Sequence, residues 1–369
     1  MTVEPVARAF FTLVAIALLA SCAREVHAQQ QSPLFEDLAA RAAVARDQQN
    51  ISLAIELYGQ AEKLKPDWAE GWFYIGLLHY TSNEFPAAIE AFNHLLSLKP
   101  QAGPALALRG LSEFEVGAYD DALRDLEDGV KNGAANEPRN TVILRYHLAQ
   151  LLVRAGRFED AVAQYQLLAN QHVDDPDLLA GLGMAGLRMP ALLQDVPQDK
   201  RDLLQAVGRA GYSFLSGNNE DAEKQFNQLF ARYTTTPDLY FFYGTLLFTN
   251  SPELAIAQFR SEVARAPGNA YAHAVLAYTL MIAGHYAEAG PEAELALAAN
   301  PNLEMAQIAL GRSLAETGNI KRTSEVVHEV LQRDPDNLEA HMALAAVYSR
   351  AGKREDAYRE REFCLGLAQ

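Results

Sequence analysis

Cysteine is almost absent from this chain of 369 residues, which contains only Cys22 and Cys364. No Cys-x-x-Cys pair occurs, so the sequence excludes a disulfide framework and a thiolate zinc site. The nine histidines include no pair three or four residues apart, which is the spacing of two metal ligands on one helix. A His-Glu-x-x-His motif is also missing. We therefore expect no metal site.

Catalytic signatures are missing as well, since neither a Gly-x-Ser-x-Gly elbow nor a Walker loop occurs. Gly181, Gly183 and Gly186 form a literal Gly-x-Gly-x-x-Gly. A dinucleotide fingerprint needs a strand before these glycines, whereas here "DDPDLLA" reads as the start of a helix. The glycines are predicted to permit close helix packing. We expect neither a cofactor nor enzyme activity.

Positive charge is scarce, with 31 Lys and Arg residues against 47 Asp and Glu residues and a net charge of −16. An acidic chain repels phosphate backbones and anionic lipids, so we expect no nucleic-acid partner. Hydrophobic residues make up 49% of the chain, which argues against disorder. The length exceeds what one ordinary core contains and predicts several domains or a repeat array.

The N-terminal segment resembles an export signal. Arg8 precedes an apolar run from Ala9 to Ala23, which is shorter than the roughly 20 residues of a spanning helix. Cleavage after Ala28 would release a periplasmic or secreted protein, with residues 1–28 as the signal peptide. Lipidation of Cys22 is the alternative, because Leu-Ala-Ser-Cys resembles a bacterial lipobox and would give a membrane-anchored lipoprotein. An uncleaved anchor is the third interpretation.

Small residues recur at intervals of 33 or 34 positions along most of the chain. These markers are Ala54, Ala88 and Ala122, then Ala222, Ala255 and Ala289, then Thr323 and Ala357. Ala161 marks a further unit that is offset by an insertion. Such a period is the signature of a repeat architecture.

Each period divides into two amphipathic runs separated by a short turn. Apolar residues recur at helical spacing before the marker, and a second run ends near a proline such as Pro66 or Pro100. Before each marker, a slot occupied by Gly or Ala, such as Gly76, predicts the point where two helices approach most closely. One hairpin cannot bury both faces, so the sequence predicts an all-α fold, an α-solenoid of stacked helix-turn-helix hairpins.

This pattern resembles the tetratricopeptide repeat over roughly Phe35 to Gln369. Two positions depart from the family pattern, because His79 replaces the usual Tyr and Thr323 replaces a small marker. The resemblance identifies nine units, at residues 35–68, 69–102, 103–136, 142–175, 203–236, 237–269, 270–303, 304–337 and 338–369.

The regular spacing is interrupted once, between Ala161 and Ala222. The surplus segment is predicted to be a helix to about Met189, followed by breaks at Pro190 and Pro197. We interpret it as a degenerate repeat. It predicts an N-terminal array of about four repeats at residues 29–176, a linker at 177–202, and a C-terminal array of about five repeats at 203–369.

The resemblance implies that the first helices line a groove for protein or peptide ligands. The groove slots are Phe73, Tyr74, Leu77, Tyr80, Phe241, Phe242, Tyr278 and Met281. The Lys and Asn slots of the family's carboxylate clamp hold residues such as Phe73 and Leu77, so that clamp is absent.

Two hypotheses for the function follow. The chain is an exported scaffold that binds proteins or peptides in the bacterial envelope, or it is an accessory subunit of an envelope enzyme acting on glycans or solutes. Neither needs a small-molecule cofactor. Membrane contact is expected only if Cys22 is lipidated.

Overall fold

The structure is a computed structural model that describes residues 33–136 and 138–367. The predicted signal peptide and Cys22 lie outside these residues. The described ranges contain helices and no strand, and the helices form successive hairpins that pack on their neighbours. The predicted fold class, an all-α solenoid of stacked helical hairpins, is confirmed.

The chain divides into two compact units, one ending at Leu151 and one beginning at Leu152. Unit 1 contains α1 (33–47), α2 (Ile51–Leu64), α3 (Ala69–Thr81), α4 (Phe85–Leu98), α5 (Gly103–Glu115), α6 (Tyr119–Lys131), a 3₁₀ helix (Ala134–Asn136) and most of α7 (Pro138–Arg154). Within it, α3 packs on α4, α5 on α6, and α4 on α5. The first helices α3 and α5 also touch each other.

Unit 2 continues the same pattern to the end of the described chain. Its helices are α8 (Phe158–Ala169), α9 (Pro176–Gly186), α10 (Gln198–Leu215), α11 (Asn219–Arg232), α12 (Leu239–Leu247), α13 (Pro252–Arg265), α14 (Ala270–Ile282), α15 (Tyr286–Ala299), α16 (Glu304–Thr317), α17 (Ile320–Arg333), α18 (Leu338–Arg350) and α19 (Arg354–Leu367). A short 3₁₀ helix (Leu193–Asp195) lies between α9 and α10.

The predicted close approach of the two helices in a hairpin is confirmed. A Cβ atom added to Gly76 would lie 2.6 Å from the ring of Phe92, and one added to Gly244 would lie 2.6 Å from the ring of Phe259. Both rings are fully buried. A larger residue in the glycine slot would force the helices apart, which explains the small residue in the sequence pattern.

The marker positions lie at the centre of these contacts. Ala54, Ala88 and Ala122 are completely buried, and so is Thr323, the exception among the markers. The Thr323 hydroxyl donates a hydrogen bond to the carbonyl of Asn319 at 2.8 Å. This bond within the helix satisfies the buried hydroxyl, so threonine replaces alanine without leaving an unpaired polar group.

A side chain on the first helix binds the turn that precedes it in four of the repeats. Trp72 Nε1 and Gln307 Nε2 donate to the carbonyls of the prolines six residues earlier, Pro66 and Pro301, at 3.2 and 2.9 Å. The Nε2 atoms of His273 and His341 lie 3.1 and 2.8 Å from the equivalent carbonyl oxygens. The proline that ends one repeat is thereby tied to the next repeat.

The segment predicted to be a degenerate repeat forms a buried helix, α9, which packs along α10. Its glycines serve packing, as predicted, because a Cβ atom on Gly183 would lie 2.0 Å from the carbonyl oxygen of Leu204. A Cβ atom on Gly208 would lie 1.7 Å from the carbonyl oxygen of Leu179. The two backbones therefore touch, and only glycine allows this contact.

The chain between α9 and α10 also contributes to the core of unit 2. Leu192, Leu193 and Val196 are buried there, and Arg201 donates a hydrogen bond to the carbonyl of Leu193. The proposed linker at 177–202, and the array limits on either side of it, stay predictions.

We predict that Gly208→Ala destabilises unit 2 by about 1–3 kcal/mol, the usual cost of overpacking, because the added methyl group would collide with backbone rather than with a flexible side chain. Gly59→Ala is the matched control, since a Cβ atom at Gly59 meets nothing within 4 Å in the middle of α2. That control should be stabilised by about 0.5–1 kcal/mol. Urea unfolding followed by circular dichroism measures both changes, and equal effects would contradict the close contact of α9 and α10.

Candidate functional site

The eight predicted groove residues differ in burial. Phe241, Phe242 and Met281 expose only 3%, 2% and 4% of their surface. The structure thus places these three in the core, where they have little surface to offer a ligand. The other five, Phe73, Tyr74, Leu77, Tyr80 and Tyr278, are half-buried. Their role in ligand binding stays a prediction.

Packing between hairpins accounts for the burial of Phe241 and Phe242. The ring of Phe242 lies where Cβ atoms on Gly186 and Gly211 would be, so it fills the space that these glycines leave between α9, α10 and α12. The ring of Phe241 packs 5.4 Å from that of Phe259. The repeat pattern places both residues on a first helix. It does not show that α9, which lies outside the regular spacing, covers part of that helix.

Half-exposed aromatic side chains run across the first helices of unit 1. On α3, Ile75 and Leu78 face the core, while Phe73, Leu77 and Tyr80 follow i, i+4, i+7 spacing on another face. We define the aromatic row as Phe73 and Tyr80 of α3, Phe114 of α5, and Tyr146 and His147 of α7, all of them half-buried.

Contacts between rings join α5 to α7 within the row. The Phe114 ring meets the His147 ring edge-to-face at 4.7 Å, and His147 meets Tyr146 at 5.5 Å. Phe114 was missed by the sequence prediction, although it stands 34 residues after Tyr80. Its repeat spacing was the signal that could have found it.

Two rings of the row make the same kind of edge-to-face contact, one repeat apart. Tyr80 makes an edge-to-face contact with Phe85, the first residue of α4, at 5.9 Å. Phe114 makes the equivalent contact with Tyr119, the first residue of α6, at 5.5 Å. Rings held in this way lose little conformational freedom when a ligand binds.

The charge beside the row is negative. Glu115 follows Phe114 and is exposed, and it raises the pKa of the Tyr80 phenol, although burial of the phenol has the larger effect. Glu113, in contrast, turns toward Arg109 and Asp125, and burial raises its pKa to about 7. Glu115 makes no ion pair among the described residues.

Unit 2 contains an arginine enclosed by aromatic rings, which we name the Arg188 cage. The guanidinium carbon of Arg188 lies 4.4 Å from the ring centre of Tyr271, 4.7 Å from that of Phe158 and 5.3 Å from that of Phe241. Its Nη1 atom lies 2.5 Å from Oε1 of Glu159. The same oxygen accepts a hydrogen bond from the Tyr271 hydroxyl at 3.2 Å.

Arg188 adopts a backbone conformation that arginine rarely takes. Its φ angle is 51°, in a region that four other non-glycine residues and seven glycines of the described chain also adopt. Left-handed geometry is costly for a residue with a Cβ atom, so the ring and carboxylate contacts offset a local backbone strain. No pattern in the sequence predicts the cage, because its members come from four distant segments.

A buried carboxylate positions the Phe241 wall of the cage. Glu262, on α13, accepts hydrogen bonds from the backbone N–H groups of Asp238 and Phe241 at 3.0 and 3.2 Å. N–H groups at the start of a helix have no partner within the helix, and a carboxylate binds them well. The pKa of Asp238 is raised to about 6, mainly by burial and also by the neighbouring Glu262, while Arg188 acts to lower it.

No cavity of ligand size accompanies the cage. The space between Phe158, Val162, Phe241 and Thr245 has a volume of about 20 Å³, room for roughly one water molecule. Among residues 33–136 and 138–367, no group of three or more His, Cys, Asp or Glu side chains could hold a metal ion. None of the helices in those ranges is long and apolar enough to cross a membrane.

Comparison with protein families identifies the repeats. Residues 39–104, 107–177 and 146–191 match the tetratricopeptide repeat model. These segments are similar to the tetratricopeptide repeat. They include the helices that carry the aromatic row, and the match continues through α9.

Three solved structures match this chain at low sequence identity and low TM-score. Yeast Tom70 is 13% identical, with a TM-score of 0.34 and coverage of 91% of this chain and 77% of that one. A tetratricopeptide repeat protein from Parabacteroides merdae is 15% identical, with a TM-score of 0.32 and coverage of 76% and 98%. The TPR2AB domain of yeast Sti1, in a complex with pHSP90, is 17% identical, with a TM-score of 0.25 and coverage of 82% and 98%. Comparison with curated proteins gives no match.

We predict that Arg188→Met lowers the stability of unit 2 by about 1–2 kcal/mol, because it removes a half-buried cation from three rings and a carboxylate while keeping most of the side-chain volume. Arg209→Met is the matched control, since Arg209 forms an ion pair with Asp174 in which both side chains are about half exposed. That control should change stability by less than about 0.5 kcal/mol. Thermal melts compare the two, and a loss as small as that of the control would show that the cage does not stabilise unit 2.

Proposed function

We propose that this chain is a non-catalytic scaffold whose tetratricopeptide repeats bind an extended peptide segment of another protein. The observation that carries the proposal is the aromatic row of unit 1, in which three successive first helices present half-exposed rings and a ring contact joins α5 to α7. Aromatic side chains with one face packed and one face exposed are the usual anchors of protein interfaces.

The described residues favour an extended ligand over a small molecule. The row is a surface built from three helices rather than an enclosed cavity, and the cavity at the Arg188 cage holds little more than a water molecule. An extended peptide, whose side chains alternate in direction, can contact several rings at once. This geometry supports a peptide partner.

Location in the bacterial envelope forms part of the proposal and is motivated by the sequence from Arg8 to Ala28. Intact-mass spectrometry of the native protein is expected to give a chain that starts at Gln29. A diacylglyceryl mass on Cys22 would favour the lipoprotein alternative, and full-length protein recovered from the cytosol would contradict both.

We predict that Phe73→Ala weakens peptide binding by about 2 kcal/mol or more, the scale of an interface anchor, with a smaller effect on folding. Phe241→Ala is the comparison variant, because its buried ring should cost about 3–5 kcal/mol of folding stability. Thermal melts of both variants, and the affinity of a peptide selected on the native chain, measure these effects. If Phe73→Ala lowers the melting temperature as much as Phe241→Ala does, Phe73 belongs to the core and not to the binding surface.

A further inference from the structure

A buried histidine of unit 2 has a hydrogen-bond acceptor at each of its two ring nitrogens. His273, on the first helix α14, exposes only 6% of its surface. Its Nδ1 atom lies 2.6 Å from a carboxylate oxygen of Glu292 on α15, and its Nε2 atom lies 3.1 Å from the carbonyl oxygen of Pro267. The ring therefore joins α14 to the second helix of its own repeat and to the turn that ends the preceding repeat.

The two acceptors determine how many protons the ring carries. A carbonyl oxygen and an ionised carboxylate only accept hydrogen bonds, whereas a neutral imidazole donates from one nitrogen and accepts at the other. A neutral His273 beside an ionised Glu292 would place a lone pair against one of these oxygens inside the core. Both bonds form when the pair holds one additional proton. Imidazole is the stronger base of the two groups in ordinary peptides, so the geometry indicates an imidazolium beside a carboxylate.

The same geometry recurs two repeats later. His341, on α18, has its Nδ1 atom 2.6 Å from a carboxylate oxygen of Glu360 on α19 and its Nε2 atom 2.8 Å from the carbonyl oxygen of Pro335. All three residues stand two repeat periods after their counterparts in the first site. The arrangement therefore belongs to the repeat and is not one accidental contact.

The repeat between these two shows how the same slot works without a titrating ring. Gln307, on α16, donates from Nε2 to the carbonyl of Pro301 at 2.9 Å, and its Oε1 atom accepts a hydrogen bond from Arg333. An amide always offers a donor and an acceptor, so it faces one acceptor and one donor. In the two histidine repeats a carboxylate stands where this repeat has an arginine donor. There the side chain of the slot has to donate on both sides.

Glu292 is the charged group that faces His273. The helices α13, α15 and α16 pack against α14. Their other charged side chains have partners elsewhere: Glu253 with His285, Arg260 with Glu288, Glu262 with the N–H groups at the start of α12, Arg265 with Tyr240, Glu294 with Arg322, Glu304 with Asn337, and Arg312 with Glu316. One carboxylate balances one imidazolium, so the buried pair has no net charge.

We propose that His273 and Glu292 form a proton-binding site that fastens the repeat at 270–303 to the repeat at 237–269. This inference is independent of the peptide-binding function. An unfolded histidine is neutral above about pH 6.5, so above that pH the folded chain holds a proton that the unfolded chain lacks. The stabilisation is then complete below about pH 6.5 and decreases as the pH rises. Because each repeat contacts only its neighbours, the loss acts at this joint.

The test measures ring protonation by ¹⁵N NMR of the full chain labelled at histidine, over about pH 5.5 to 8.5, which brackets the ordinary titration of this residue. The His273 signals are assigned by their loss in His273→Gln and by their shift in Glu292→Gln. His328 is the matched control, because it is exposed and its Nδ1 atom faces one acceptor, the carbonyl oxygen of Ser324 at 2.7 Å. A neutral ring satisfies that single bond.

The proposal expects both nitrogens of His273 to be protonated at about pH 7.5, where His328 is already neutral. Glu292→Gln should make His273 titrate like the control. In urea unfolding, the folded-to-unfolded ratio of the wild type should fall by up to about tenfold per pH unit more than that of His273→Gln, the limit for one proton. His328→Gln should keep the pH dependence of the wild type.

Two results would overturn the proposal. A His273 ring that is neutral at about pH 7.5, as the control is, would show that the pair holds no additional proton. An equal pH dependence of stability in the wild type and in His273→Gln would show that the proton does not fasten the joint. If His273→Gln does not fold, the same comparison is made with Glu292→Gln, which keeps an acceptor oxygen but removes the charge.

Discussion

The close approach of two helices within each hairpin is the contact on which the remaining structure depends. Glycine slots such as Gly76 and Gly244 let a large side chain of the second helix lie flat against the first helix. Because this side chain is buried inside its own hairpin, each hairpin forms a rigid pair of helices that can pack on the next hairpin. Stability in such arrays comes from contacts within a repeat and between adjacent repeats.

This packing also determines which side chains of a first helix remain accessible. Side chains of a first helix that face the second helix are buried, and those that face away remain half-exposed. Tyr80 and Phe114 are in the second group, and each is supported by an aromatic residue at the start of the following helix. Contacts that belong to the fold thus hold these half-exposed rings in place.

In the Arg188 cage, aromatic rings pack around a cation that belongs to the chain itself. Here the chain places its own cation against the rings, at the cost of a left-handed backbone where glycine would be unstrained. Because α9 lies outside the regular repeat, its C-terminal end can reach Phe158, Phe241 and Tyr271 together. The contacts of Arg188 with these rings and with Glu159 lie within unit 2.

Repeat spacing by itself determined the helical hairpins, the Gly or Ala slot of the first helix and the buried marker of the second. These features depend on residues close in sequence and on a period that is visible in the sequence. The same spacing, extended by 34 residues from Tyr80, reaches Phe114. Tertiary structure decided which groove slots are exposed: Phe241 and Phe242 became core residues because α9, α10 and the ring of Phe259 cover them. It also decided that Arg188 meets Glu159 and Tyr271, side chains separated by up to 112 positions along the chain. Periodicity describes neighbours within a repeat, whereas burial and charge pairing depend on which distant surfaces meet.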